Sequence, residues 1–277
     1  SLALHLRSRP LKIYNTRHTT YPPMSTYHPE PYWSDVAKRI KARKGKNVIA
    51  GDDEPYYRYK RERFLDLLNE VDFKGKTVLE IGSGPGGNLK ALLAKSPKSL
   101  TGVDISPDMV ELAKSNLPPE VNIIKVNGTS LPFEDKHFDF VFSATVLQHN
   151  TDETMLRALM AEMCRVAGEK VFLFERIEDE IMGDELCYGR PVSFYASICK
   201  QHGFELVSSK WINIRSSYYV SGAIRKGLNP KTRVEGEPLN SLSVFLQNLT
   251  LPVTRQLDKV FTSRRDVARL EFRRVKI

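Results

Sequence analysis

Between residues 77 and 214 the chain alternates short apolar runs with segments in which apolar residues recur at helical spacing. The apolar runs fall at 77–81, 101–104, 121–126, 138–143, 169–175 and 204–214. Short, β-rich runs of this kind predict buried parallel strands, and the segments between them predict helices. Regular alternation of strands and helices predicts an α/β fold with a mostly parallel sheet and helices on both faces.

The first predicted strand leads directly into a glycine-rich turn, and a helical pattern begins at Asn88. Gly82 permits a sharp turn, and Gly84 lets a ligand approach the backbone. The second strand ends at Asp104, 20 residues after Gly84. A carboxylate at this position typically binds the ribose hydroxyls of an adenosine cofactor. The strand, turn and acid together therefore predict a nucleoside-binding site.

The motifs Glu80-Ile-Gly-Ser-Gly-Pro-Gly-Gly, Gly102-Val-Asp, Leu131-Pro-Phe and Phe138-Asp-Phe-Val-Phe-Ser occur in this order along the chain. They resemble the class I S-adenosylmethionine-dependent methyltransferases, in particular the small-molecule, type 11-like group. The resemblance covers residues 60–212 and implies a Rossmann-like, seven-stranded, mostly parallel sheet with an antiparallel last strand. It also implies S-adenosyl-L-methionine as cofactor and S-adenosyl-L-homocysteine as product. A nicotinamide-binding Rossmann domain shares the first turn and the ribose acid, but Glu80 favours the methyltransferase interpretation.

The resemblance implies a cofactor site formed by the glycine turn, the residues that follow the second and third strands, and the exit of the fourth strand. Its expected members are Glu80, Gly82, Ser83, Gly84, Gly86, Asp104, Ile105, Met109, Asn127, Gly128, Thr129, Ser143 and Ala144. Ile105 is expected to pack on adenine. Asn127 stands where the family usually carries an acid, and its amide oxygen can accept a hydrogen bond from the adenine amino group.

In the resembling family, the segment before the first strand closes over the methionine end of the cofactor. We expect Tyr57 to face the sulfonium through a cation–π attraction. We expect Arg58 to bind the carboxylate as a bidentate pair. The sequence leaves the choice between Tyr56, Tyr57 and Tyr59 open, and it also allows that these residues only pack a helix onto the sheet.

Methyl transfer to a hydroxyl group requires a base that removes the proton. His149 follows the fourth strand and Glu175 ends the fifth, so these two residues are the predicted catalytic groups. His18, His28 and the tyrosines of the N-terminal arm are alternatives, and His149 could instead hold its loop in place. An amine acceptor would need no strong base.

The net charge of +9 is unevenly distributed along the chain. Residues 1–70 hold 14 Lys and Arg against 8 Asp and Glu, residues 71–180 hold 12 against 17, and residues 181–277 hold 16 against 8. The two basic flanks suggest an anionic partner: an anionic or lipid- or glycan-linked small molecule, or nucleic acid. A charged surface with no dedicated partner is the alternative.

The pattern predicts three regions: an arm or lid over residues 1–60, the cofactor-binding core over 61–214, and a helical insertion with the final strand over 215–277. Within the last region, 215–237 reads as polar and turn-rich, 240–262 as a helix, and 266–275 as the antiparallel last strand. The arm and the insertion are expected to cover the substrate. The predicted substrate-binding residues are Tyr21, His28, Tyr188 and Arg190.

No apolar run approaches the ~20 residues of a membrane-spanning helix. Cys164, Cys187 and Cys199 lack paired spacing and clustered histidines, so neither a disulfide framework nor a metal site is predicted. The leading hypothesis is a cytoplasmic small-molecule O-methyltransferase. An RNA or protein methyltransferase that uses the basic flanks is a second hypothesis, although no RNA-binding module is visible. A non-catalytic, cofactor-binding regulatory protein is a third.

Overall fold

The computed structural model describes residues 28–42, 54–184, 186–230, 238–264 and 266–275. The predicted substrate contact Tyr21 and the alternative base His18 lie outside the described residues.

Nine strands and eight α-helices occur in the described ranges. The strands are β1 (Thr77–Ile81), β2 (Ser99–Asp104), β3 (Asn122–Lys125), β4 (Phe138–Ala144), β5 (Ala167–Ile177), β6 (Met182–Asp184), β7 (Cys187–Gly189), β8 (Phe204–Trp211) and β9 (Asp266–Arg274). The helices are α1 (Pro29–Ala42), α2 (Pro55–Asn69), α3 (Gly87–Leu92), α4 (Pro107–Asn116), α5 (Glu153–Val166), α6 (Val192–Gln201), α7 (Arg215–Leu228) and α8 (Ser241–Val260).

Seven strands form one sheet in the order β3-β2-β1-β4-β5-β9-β8. Neighbouring strands from β3 to β5 pair in parallel, and β9 pairs antiparallel with both β5 and β8. The predicted fold class is therefore confirmed, including its antiparallel last strand. β6 and β7 form a separate two-stranded hairpin.

The helix boundaries follow from local capping chemistry. Ser106 Oγ accepts a hydrogen bond from Met109 N at 3.2 Å, and Pro107 begins α4. Asp152 caps α5 by accepting hydrogen bonds from the N–H groups of Thr154 and Met155. These capped helix starts fix where the polypeptide leaves the sheet.

The register of the sheet places the functional strand ends side by side. Ile81 pairs with Val103 of β2 on one side and with Ser143 of β4 on the other. The carboxyl ends of β1, β2 and β4 therefore share one edge, which is the edge where open α/β sheets bind ligands.

The prediction of a turn-rich segment after residue 214 was wrong for its first part, because Arg215–Leu228 forms α7. Ser216, Ser217 and Gly227 favour turns in the sequence, and tertiary contacts stabilise the helix instead. Asp258 Oδ1 on α8 accepts hydrogen bonds from the backbone N–H groups of Ser216 (2.6 Å) and Ser217 (3.2 Å). A carboxylate at a helix N-terminus satisfies N–H groups that have no partner within the helix.

Candidate active site

The carboxyl ends of the central strands open into a cavity of about 430 Å³. Ten residues predicted for the cofactor or for catalysis line it: Tyr57, Gly82, Ser83, Gly84, Asp104, Ile105, Met109, Gly128, Ala144 and His149. They come from α2, from the turns after β1, β2 and β3, from the first turn of α4, and from the exit of β4. The structure thus brings together residues that are up to 92 positions apart in the chain.

The glycine turn after β1 shapes the floor of the cavity. Gly82 has a φ of +65°, and a Cβ atom there would lie 2.4 Å from Val146 Cγ2. Gly84 has a φ of +51°, and a Cβ atom there would have no neighbour within 4 Å. Gly82 therefore allows the exit of β4 to pack closely against the turn, whereas Gly84 keeps backbone accessible beside open space.

Asp104 is held in place by backbone N–H groups. Its Oδ2 accepts a hydrogen bond from Gly84 N at 2.9 Å, and its Oδ1 accepts one from Ser106 N at 2.9 Å. Burial raises the pKa of Asp104, and the hydrogen bonds from Ser106, Gly84 and Ile105 act in the opposite direction. A carboxylate has about four acceptor positions, so Asp104 can still accept a hydrogen bond from a ligand hydroxyl in the cavity.

Glu80 is fully buried behind the glycine turn. Its Oε1 accepts a hydrogen bond from Asn88 Nδ2 at 2.6 Å, and its buried Oε2 has no hydrogen-bond partner among the described residues. Burial raises the pKa of Glu80 to about 8. Asn88 Oδ1 in turn accepts a hydrogen bond from Arg61 Nη1 at 2.5 Å, which links α2 to the glycine turn.

His149 lies in the cavity, with Trp33 against its ring at 5.1 Å between centroids. His149 Nδ1 is 2.9 Å from the carbonyl oxygen of Leu186. His149 Nε2 is 3.2 Å from Gln148 Nε2, and Gln148 Oε1 accepts a hydrogen bond from Arg176 N. These contacts assign the proton to Nδ1 and leave Nε2 as an acceptor. Burial lowers the pKa of His149, so the neutral imidazole is the stable form near pH 7.

The structure does not bring the predicted catalytic residue Glu175 into the cavity. Its carboxylate is fully buried and accepts hydrogen bonds from Ser143 Oγ (2.8 Å), Val146 N (3.2 Å) and Gln148 N (3.1 Å). The hydroxyl of Ser143 is already used in the hydrogen bond to Glu175, and Ser143 does not line the cavity either. Glu175 thus fastens the loop that carries His149, and we assign it as a positioning residue.

Arg58 does not line the cavity, because it points to the opposite side of α2. There it lines a second groove between α2 and α8, together with Arg255 and Lys259. The apolar stripe of Phe64, Leu67 and Leu68 predicts a helix over 61–70 only. α2 begins at Pro55 instead, and this start sets the direction of the side chains from residue 55 onward. Arg61 is the arginine of α2 that faces the cavity.

Asn127 also differs from its predicted role. Its Oδ1 accepts hydrogen bonds from the N–H groups of Thr129 (3.0 Å) and Ser130 (2.9 Å), which stabilises the turn after β3. Neither Asn127 nor Thr129 lines the cavity, although Val126 and Gly128 do. The acceptor oxygen is therefore occupied by the turn.

The other predicted residues lie around the cavity without lining it. Gly86, at the N-terminus of α3, adopts a φ of +85°. Arg190 is buried and donates hydrogen bonds to the carbonyl oxygens of Leu147 (2.9 Å) and Asn150 (2.8 Å), and its guanidinium lies over the ring of Tyr188. His28 is exposed just before α1. Arg190 and Tyr188 therefore support the loop around His149 and stand behind the cavity wall.

Several residues of the cavity were not predicted from the sequence: Trp33, Lys60, Arg61, Phe64 and Gln148. Lys60, Arg61 and Phe64 follow Tyr57 at helical intervals, so an earlier helix start would have revealed them. Trp33 lies on α1, which reaches the cavity by packing on α4; Ser34 Oγ and Ser106 Oγ are 2.9 Å apart. No signal within the α1 sequence indicates this contact.

Within the described ranges, no group of three or more His, Cys, Asp or Glu side chains has a geometry that would hold a metal ion. Across the same part of the chain, no helix has the length and apolar character needed to cross a membrane.

Comparison with protein families matches residues 78–169 to a methyltransferase domain. An uncharacterized methyltransferase of Bacillus licheniformis is 34% identical over 115 residues, which are 41% of this chain and 53% of that protein. O-methyltransferase cnsE of Penicillium expansum is 25% identical over 203 residues, 67% of this chain and 68% of that protein. The ubiquinone biosynthesis O-methyltransferase of Coxiella burnetii is 27% identical over 126 residues, 44% and 53% of the two chains. The chain thus spans about half the length of two of these relatives.

Solved structures show the same fold at low sequence identity. The cyclase SpnF superposes with a TM-score of 0.60 at 16% identity, covering 88% of this chain and 95% of its own. The magnesium protoporphyrin IX methyltransferase of Synechocystis PCC 6803, solved with bound S-adenosylhomocysteine, superposes with a TM-score of 0.55 at 13% identity, covering 89% and 98%.

Proposed function

Because residues 78–169 match a methyltransferase domain, we propose that the chain is a class I S-adenosylmethionine-dependent enzyme that methylates a hydroxyl group of a small-molecule acceptor. The observation that supports this most directly is the cavity itself. Two residues line the same cavity: Asp104, whose carboxylate is placed to bind a ribose, and His149, whose Nε2 is a hydrogen-bond acceptor. When bound, S-adenosylmethionine supplies an electrophilic methyl group on a sulfonium sulfur.

The nucleoside half of the cofactor fits the side of the cavity formed by β2 and β3. The carboxylate of Asp104 lies where it can accept a hydrogen bond from the ribose hydroxyls. Ile105, Met109 and Val126 offer apolar surface to a flat base, and all three line the cavity. In this proposal the adenine is held mainly by apolar contacts, since the side-chain oxygen of Asn127 is already used.

The amino-acid half of the cofactor fits the glycine turn. Ser83 lines the cavity. Behind the turn, Ser83 Oγ and Glu80 Oε2 are buried without a hydrogen-bond partner among the described residues. Arg61 supplies a guanidinium at this end for a carboxylate. Tyr57 also lines the cavity and offers an aromatic face to the sulfonium.

The acceptor is proposed to bind at the end of the cavity that Trp33 and His149 line. Transfer is an in-line displacement, so the protein contributes mainly by aligning the acceptor oxygen and by excluding water. His149 Nε2 is the proposed base for the hydroxyl proton. The hydroxyl group would take the place of the Gln148 amide, which donates to Nε2 in this structure. Because burial lowers the pKa of His149, the ring is neutral near pH 7 and can accept a proton.

The relatives support a small-molecule acceptor, since two of the three curated proteins above are named O-methyltransferases. A cavity of about 430 Å³ is also within the range of small-molecule sites. All three cysteines are free, in keeping with the proposed cytoplasmic location.

Transfer of a radiolabelled methyl group from S-adenosylmethionine tests the proposal. Wild-type protein and the Asp104→Asn variant are incubated with a small-metabolite extract and, separately, with total RNA and total protein. We expect label in the metabolite fraction with wild type and much less with the variant. Label confined to RNA or protein would favour a macromolecular acceptor. An absence of label from every fraction, despite cofactor binding, would favour a non-catalytic binding protein.

A further inference from the structure

The outward face of α8 is a continuous apolar row. Six residues form this row along the full length of the helix: Leu242, Phe245, Leu249, Val253, Leu257 and Val260. Between 61% and 73% of the surface of Phe245, Leu249, Val253 and Val260 is exposed. Their spacing of three or four residues places them on one side of the helix. A 20-residue helix is about 30 Å long, so the row is too extensive to be a scattered surface feature.

The opposite face of α8 is polar and buried, which fixes the orientation of the helix. Asp258 accepts hydrogen bonds from the N-terminus of α7, Thr254 Oγ1 lies 2.9 Å from Ser217 Oγ, and Gln247 Oε1 accepts one from Tyr56 N at 3.3 Å. Rotating α8 to hide its apolar row would break these bonds and expose their partners. The exposed row is therefore built into the packing of α8 on α2 and α7.

The exposed charged side chains of the segment that carries the apolar row have one sign. Among the described residues from 215 to 264, the exposed charged side chains are Arg215, Lys226, Arg255, Lys259 and Arg264. Asp258 is the single carboxylate in those described residues, and it is buried. Lys259 borders the row on one side, whereas Arg255, one turn earlier, turns towards α2 and pairs with Glu62 at 2.7 Å. Lys259 itself is exposed.

We propose that α8 lies on the surface of an anionic lipid bilayer, with its apolar row in the acyl boundary and its flanking cations at the headgroups. An apolar face bordered by Lys and Arg is the pattern of helices that rest in a membrane interface. Anionic headgroups complement the uniform positive charge. A second copy of the chain complements it less well, because a twofold pairing of α8 would set these cations against one another.

The position of α8 relative to the cavity suggests a consequence, which rests on the proposed function. α7, the partner of α8, reaches the cavity wall: Arg225 Nη1 donates a hydrogen bond to Tyr57 OH at 3.3 Å and lies over its ring at 4.8 Å. A chain docked through α8 would therefore hold the cavity close to the bilayer surface. Acceptors that partition into membranes, or that are lipid-linked, suit this arrangement.

Flotation with vesicles tests the docking surface. The full chain is mixed with vesicles of phosphatidylcholine alone or of phosphatidylcholine and phosphatidylglycerol in equal parts. The variant Leu249→Asp places a charge at the centre of the row. Val207→Asp makes the same change at an exposed apolar residue of β8 and serves as the matched control. Lys259→Glu tests the cation at the edge of the row.

We expect wild type and Val207→Asp to float with the anionic vesicles, less so with phosphatidylcholine alone, and less at high salt. Leu249→Asp is expected to bind at least about 10-fold more weakly, because a charge replaces a leucine side chain that would lie in the acyl boundary. Lys259→Glu is expected to weaken binding to the anionic vesicles only. Retained circular dichroism and cofactor binding show that each variant is folded.

Wild type that stays out of the lipid fraction would overturn the proposal, as would Leu249→Asp that floats like Val207→Asp. A wild-type dimer that Leu249→Asp converts to a monomer, with no vesicle binding by either, would assign the row to a second copy and overturn the proposal too. Vesicle binding by a chain that does not bind S-adenosylmethionine would instead contradict the proposed function and leave the docking surface standing.

Discussion

The amide nitrogen of Gln148 lies 3.2 Å from Nε2 of His149, so one residue occupies the acceptor atom of its neighbour. The opposite ring nitrogen, Nδ1, is fixed by the carbonyl oxygen of Leu186. The imidazole is therefore held in one tautomer and orientation before any acceptor arrives. This arrangement suits a base that must be neutral and aligned at the start of the reaction.

If His149 is the base, His149→Ala lowers kcat by about 100- to 10,000-fold, the usual contribution of general-base catalysis. His137→Ala replaces an exposed histidine outside the cavity and serves as the control. Burial disfavours the charged ring and so lowers the pKa of His149 below the ordinary 6.5. Wild-type activity should therefore fall only when the pH drops below this lowered pKa. Steady-state kinetics across pH measures both effects, and equal turnover by the two variants would remove His149 from the mechanism.

Glu175 is predicted to stabilise the loop that carries His149, without contacting the reacting groups. Glu175→Ala would leave the hydroxyl of Ser143 and the N–H groups of Val146 and Gln148 without their acceptor. We expect the free energy of unfolding to fall by about 3 kcal/mol or more, since each buried unsatisfied donor costs about 1–3 kcal/mol. Glu169→Ala, which removes an exposed partner of Lys76 on the same strand, should change it by less than about 1 kcal/mol. Urea unfolding measures both, and similar losses in the two variants would contradict this role.

Burial raises the pKa of Glu80 to about 8 from the ordinary 4.5. The folded chain thus retains a proton that the unfolded chain releases above pH 4.5. The contribution of Glu80 to stability is complete below the unfolded pKa and is lost as the pH rises through about 8. We expect wild type to lose up to about 1.4 kcal/mol per pH unit more than Glu80→Gln in this window. Unfolding of both proteins without cofactor tests this, and parallel pH dependences would refute it.

Two arginines of α2 provide an internal comparison. Arg61 lines the cavity, whereas Arg58 lines the groove on the other side of the helix. Arg61→Ala should weaken binding of S-adenosylmethionine by about 10-fold or more, because it removes a charged hydrogen-bond donor from the proposed carboxylate site. Arg58→Ala should leave the affinity unchanged. Titration calorimetry on both variants decides between them, and a loss in Arg58→Ala alone would reverse the assignment.

The fold and the glycine turn could be predicted because their signals are local. The strand at 77–81 has the predicted bounds, and Ser106 caps α4 as its position before Pro107 indicates. Asp104 was predictable because the end of a strand determines where its side chain lies. The positions of such residues can be predicted from their neighbours in the sequence alone.

The remaining site residues depend on contacts that no local pattern records. The direction of Arg58 follows from a helix start six residues earlier than the predicted one. The role of Asn127 follows from a turn that uses its side-chain oxygen. The helix α7 forms because Asp258, more than 40 residues later, accepts hydrogen bonds from its first N–H groups. In each case a tertiary or turn contact outweighs the sequence signal.

The central claim is that the cavity binds S-adenosylmethionine through the carboxylate of Asp104. Titration calorimetry with S-adenosylmethionine tests it on wild type, on Asp104→Asn, and on Asp108→Asn, a control of the same type on the first turn of α4. We predict that wild type and Asp108→Asn bind with equal affinity and that Asp104→Asn binds about 10-fold more weakly or worse. Equal binding by all three proteins, or no binding by wild type, would contradict the claim.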